Sequence, residues 1–199
     1  MSAAAEIPRE IASAGVGVGR LIRYDLRWPD SFNATTGGFL RSFLGPLLAL
    51  PFALIVAAAY GAAEATPGTA STLISVGAVS HLFYTLAYPV LLGAMARPLG
   101  IGAGYAGFVI VVNWSSLFLN IALAGASALA LFGMPGFSAF SLVAIGLFGL
   151  SIFVIWRAAR EILSPEIPVA LLMVVLSVGM IALSDQVAAW IVGAPPGSG

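Results

Sequence analysis

Residues 105–132 read YAGFVIVVNWSSLFLNIALAGASALALF, and no Asp, Glu, Lys or Arg interrupts them. A hydrocarbon core about 30 Å thick needs roughly 20 apolar residues of helix, so this stretch crosses a bilayer with length to spare. It does not alternate apolar and polar residues over about ten positions, as a membrane β-strand would. Four more runs share its character, at residues 39–63, 72–96, 137–156 and 167–192. The predicted fold is therefore all-α, a polytopic bundle of five membrane helices.

Composition supports this reading. Of 199 residues, 60 % are hydrophobic and 8 % charged, where a soluble domain carries about 25 % charged residues. Too little polar surface remains to cover a globule in water, which excludes a soluble enzyme and a disordered tail. A formal net charge of zero leaves no basic field for nucleic acid. The absence of Cys excludes disulfides, thiolate metal sites, iron–sulfur clusters and Cys nucleophiles. A single His excludes a multi-His metal site. No cofactor or metal is expected, and no acid, base and nucleophile converge as an enzyme requires.

The links between spans are short and rich in turn residues: Pro67 and Gly68; Pro98, Gly100, Gly102 and Gly104; Met134 and Pro135; and the charged segment 157–166 with Pro165. Links of this length predict that sequential spans are antiparallel neighbours. Residues 1–38 lack the apolar core and cleavage site of a signal peptide. Ile7, Ile11, Val18, Leu21, Ile22 and Leu26 recur at helical spacing with charged residues largely between them. This predicts an amphipathic cytoplasmic helix on the membrane surface, weakened by Gly15, Gly17 and Gly19. The bundle is assigned residues 39–193, and residues 194–199 form a short outer tail.

Charge placement sets the expected orientation. All eight basic residues are Arg, and with five spans all of them fall on one side. The positive-inside rule then places the N-terminus in the cytoplasm and the C-terminus outside. Arg20, Arg23, Arg27 and Arg41 are candidate contacts to lipid headgroups at the inner surface. The bias to Arg over Lys, with the Ala and Gly content, looks bacterial, and the expected location is the inner membrane, multi-pass.

Polar residues inside the spans fall on faces. Gly77, His81, Tyr84, Thr85 and Tyr88 share one face of the second span; Asn113, Ser116, Asn120 and Ser127 share one face of the third. In a hairpin centred near Gly100–Ile101, His81 lies at the depth of Asn120, Thr85 of Ser116 and Tyr88 of Asn113. These six residues form a candidate intramembrane polar seam, with a hydrogen bond expected between His81 and Asn120. A packed seam is structural; a cavity at this depth is functional. Asp185 reads as a side chain snorkelling to the outer headgroups, and Arg157 with Glu161 as a solvated i, i+4 pair. Gly102, Gly104 and Gly107 spell G-x-G-x-x-G, but they enter a membrane span and not a βαβ unit, so no dinucleotide site is assigned.

Five spans, a cytoplasmic lead-in and a very short outer tail resemble the Yip1-domain membrane proteins. The stretch from Gly104-Tyr105-Ala106 through Asn113-Trp114 looks like the start of the third span in some bacterial members. That resemblance covers roughly residues 36–193 and implies a membrane organiser or partner-binding protein. The sequence thus predicts a small non-enzymatic inner-membrane protein, an assembly or scaffold protein partnered by the bilayer and by itself or another membrane protein. The alternative is a small-solute transporter or channel-like protein that uses the polar face of helices two and three.

Overall fold

The computed structural model describes residues 3–63, 69–131, 137–164 and 166–193. Among them the chain is helical with no strand: α1 (Ala3–Ile22), α2 (Thr36–Ser42), α3 (Leu44–Ala63), α4 (Thr69–Ala96), α5 (Gly102–Leu131), α6 (Phe137–Ala158) and α7 (Ile167–Val192). A 3₁₀ turn occupies Pro29–Ser31 and a π-turn Ala159–Leu163. Five stretches are long and apolar enough to cross a membrane: Thr36–Tyr60, Ser71–Ala96, Gly102–Leu129, Phe140–Leu163 and Ile167–Val192. They match the expected spans to within three residues, except that the fourth runs seven residues further, to Leu163. The turns at Pro67–Gly68 and Met134–Pro135, Pro165 and the tail at 194–199 lie outside the described residues.

The first span is built from two helices. Thr35 caps α2, its hydroxyl accepting from the Gly38 backbone N–H at 3.1 Å. The helix breaks at Phe43, three residues before Pro46. Pro46 has no N–H to return to the Ser42 carbonyl, so an uninterrupted α-helix loses that bond. Beyond the break, Gly45 brings α3 onto the backbone of Asn113 and Trp114 in α5, where an added Cβ would collide with the Asn113 carbonyl.

That approach decides the architecture. α3 packs against both α4 and α5, α4 packs against α7, α5 against α6, and α6 meets α7. The spans form a ring in the order α3, α4, α7, α6, α5. Sequential spans are therefore not all neighbours: α4 and α5, although joined by a short link, meet only sparsely because α3 sits between them over most of their length. A short link fixes where two helices start, not how far they stay together.

One apolar core joins the ring to the N-terminal segment. Leu21 and Trp28 are fully buried with Leu92, Phe108, Ala158 and Met173. A second cluster holds Ala14 with Ala49, Ile110, Trp114 and Leu117. The apolar stripe of α1 therefore has protein partners: Val18 and Leu21 are buried and Ile11 packs on the second cluster, while Leu26 is exposed. The α1 glycines serve close packing. A Cβ on Gly15 would press on the Phe118 ring at 3.1 Å, and one on Gly17 would collide with Phe32. Large apolar side chains such as Val90, Leu142 and Trp190 cover the outside of the ring, as expected of a surface facing hydrocarbon.

Candidate functional site

The ring is not filled. It leaves a half-open cavity of about 1020 Å³ lined by all five membrane-length helices. Ligand pockets run from roughly 300 to 1,000 Å³, so this one is large for its class. The cavity follows from the sequence locally. The wall facing it from α5 includes Ser115, Ser116 and Asn120, with Ala53 and Ala57 on the neighbouring α3. Small side chains leave the middle of a five-membered ring open, since no large residue projects into it from these positions.

All six residues of the expected seam line this cavity: His81, Thr85, Tyr88, Asn113, Ser116 and Asn120. They share a wall but do not pair across the hairpin. His81 Nε2 lies 2.8 Å from the Pro46 carbonyl on α3. That carbonyl can only accept, so Nε2 carries the proton. Asn120 Nδ2 donates to Ser116 O in its own helix at 2.8 Å. The expected His81–Asn120 bond is absent because α3 lies between the two helices. Thr85 donates to His81 O at 2.7 Å, Ser116 to Asn113 O at 2.7 Å, and Asn113 Nδ2 to Ser42 Oγ at 3.0 Å. Tyr88 OH reaches Met173 O on α7 at 3.2 Å.

The fifth span contributes a polar face that the sequence reading passed over. Ser177, Ile181 and Asp185 recur every four residues of α7, and all three line the cavity. Tyr84 OH lies 2.9 Å from Ser177 Oγ. Ser80 Oγ donates to Asp185 Oδ1. Asp185 therefore does not snorkel to headgroups; it turns into the ring about two helical turns from the end of α7. The four-residue spacing was the available signal, and a single acid near a span end masked it. Ser115 is 2 % exposed and its hydroxyl has no hydrogen-bond partner among the described residues. Most buried hydroxyls are satisfied, so the cavity wall carries an unanswered polar group.

A second polar cluster closes the arginine end of the ring. Arg157 is 4 % exposed. Its Nε donates to Glu161 Oε1 at 2.6 Å, its Nη1 donates to the Leu21 carbonyl, and its guanidinium stands 4.4 Å from the Tyr24 ring centroid. Trp28 Nε1 donates to the other Glu161 oxygen. Tyr24 holds φ +61°, a left-handed conformation that costs a residue with a Cβ about 1 kcal/mol. The pair read as solvated is thus a buried clamp, because the N-terminal segment folds over it. The π-turn carrying Glu161 packs on α5 at Gly104, where a Cβ would collide with the Ile162 carbonyl.

The four arginines expected at lipid headgroups divide. Arg41 donates to Glu10 at 2.7 and 2.9 Å and lies 3.5 Å from Glu6. Arg27 pairs with Asp25 through two bonds of 3.1 and 3.2 Å. Arg20 donates to Ser31 Oγ at 3.0 Å and lies 3.8 Å from Asp25, while Arg23 is exposed. These bonds hold Glu10 below the usual glutamate range, chiefly through the Arg41 guanidinium. Asp25 is pulled from the usual 3.8 to about 2, chiefly by the Arg27 side chain. On α5 an added Cβ at Gly125 meets open space. Among the described residues no group of three His, Cys, Asp or Glu could hold a metal ion. No family model, curated protein or solved structure matches this chain.

Proposed function

We propose that this chain is a membrane-embedded solute-binding protein of the carrier or channel-like type, whose site is the cavity inside the five-helix ring. One observation carries the reading: polar side chains from α4, α5 and α7 converge on an unfilled space of about 1020 Å³ at membrane depth. An assembly protein needs only a packed seam there, and interhelical hydrogen bonds serve such a seam without a cavity. Polar groups held around an open space at this depth instead suit a solute that sheds its water on entering. The arginine distribution supports a cytoplasmic N-terminus in a bacterial inner membrane. In that orientation the exposed Arg23 reaches anionic headgroups and α1 lies at the inner boundary of the bilayer.

The chain has no Cys, so accessibility can be read one thiol at a time. Ser116→Cys places a thiol in the cavity wall; Val111→Cys places one in the packed core, where Val111 is 1 % exposed. A small neutral, hydrophilic methanethiosulfonate should react at least tenfold faster at position 116, since only a wetted thiol ionises and attacks. Equal, slow reaction at both positions would overturn the reading.

A further inference from the structure

The polar lining of the cavity is unequal in charge. Among the described residues that line it there is one carboxylate, Asp185, and no Arg. The carboxylate receives one hydrogen bond, from Ser80 to Oδ1, and among the described residues Oδ2 has no protein partner. A half-buried carboxylate facing a largely apolar wall is better accommodated when a cation and further hydrogen bonds compensate it. Here the described residues supply one hydroxyl and no cation.

The rest of the wall is suited to what is missing. Tyr84 and Tyr88 stack with ring centroids 5.3 Å apart and both line the cavity, as do Tyr60 and Phe148. Aromatic faces attract a cation within about 6 Å of the ring centroid. Much of the remaining wall is apolar: Phe148 of α6 and Ile181 of α7 line the cavity and are 45 % and 37 % exposed. Such a wall suits a molecule with an apolar body better than a small, fully hydrated ion.

We infer that the cavity takes an amphipathic organic cation, its charged head at Asp185 and its apolar body along the aromatic and aliphatic wall. This rests on the solute-binding reading above and adds the class of solute. Ser80 fixes the rotamer of the carboxylate and leaves Oδ2 for the ligand.

The test uses the full chain in nanodiscs of zwitterionic lipid, with empty nanodiscs subtracted. The probes are tetraphenylphosphonium and, as a neutral compound of similar shape, triphenylphosphine oxide. The unmutated protein should bind the cation saturably and at least tenfold more tightly than the neutral probe. Asp185→Asn should abolish that preference and leave binding of the neutral probe unchanged. Ser80→Ala, which keeps the carboxylate, should retain the preference. No preference in the unmutated protein, or a preference that survives Asp185→Asn, would overturn the inference. Should Asp185→Asn fail to fold, the preference of the unmutated protein decides alone. If Ser116→Cys reacts quickly while no cation preference is found, only the class of solute falls; if Ser116→Cys is as inert as Val111→Cys, the solute-binding reading falls with it.

Discussion

Arg157 is a guanidinium almost fully buried in the protein, and three contacts compensate it. Glu161 offers a carboxylate at 2.6 Å, the Leu21 carbonyl accepts a second N–H, and the Tyr24 ring covers one face. Removing one partner of a buried pair leaves the other uncompensated, at a cost of about 3–5 kcal/mol. Glu161 is one-third exposed, so the lower end applies. Glu161→Ala should destabilise the protein by about 3 kcal/mol in SDS titration, because it strands both Arg157 and the Trp28 N–H. Glu161→Gln keeps an acceptor for Trp28 and should cost less than half as much. Equal costs for the two variants would mean that the lost charge carries the whole effect and the Trp28 bond none. At this scale the sequence was legible in part. The i, i+4 spacing of Arg157 and Glu161 was plain, but their burial depends on Leu21 and Trp28, more than 130 positions away. His81 and Asp185 carried the same difficulty, since their partners Pro46 and Ser80 sit on other helices and no local pattern names them.

Among the elements, α1 shows how a correct local pattern can leave a partner open. Its helical spacing was readable, and α1 is a helix; that its stripe meets α3 and α5 was not readable, because a stripe looks the same whether lipid or protein covers it. The membrane helices pose the same problem more strongly, being apolar on every face, so length revealed their number while their neighbours stayed hidden. The acid pairs of the N-terminal segment predict how α1 responds to pH. A carboxylate whose pKa is lowered by folding stabilises the folded form above its ordinary range, and that contribution is lost as pH falls through the lowered value. Glu10, held down by Arg41, should therefore keep α1 docked from neutral pH to the bottom of the usual glutamate range and release it below. Asp25 gives way later, between 3.8 and about 2. Hydrogen exchange of residues 6–22 in detergent should stay slow down to that range and accelerate beneath it. Acceleration already near neutral pH would show that the Arg41 pair does not hold α1.

For the molecule as a whole, the ring and the arginine bias can be tested together. With the orientation proposed above, Thr69→Cys at the start of α4 should react with an impermeant thiol reagent added to intact cells. Ser164→Cys, between the π-turn and α7, should be protected until the membrane is opened. Labelling of Ser164→Cys in sealed cells would invert the orientation. The clamp at the arginine end also orders events in time. Trp28 emerges from the ribosome 133 residues before the Glu161 that receives its N–H. At about 5–20 residues per second, that separation is on the order of 10 s. Throughout it Trp28 has no final partner, although Ile11 and Ala14 can already rest on α3 and α5. Closing of the clamp is thus a late signal: a chain arrested before the end of the fourth span cannot give it, and an unseated Trp28 distinguishes an unfinished copy from a finished one for any quality-control protease.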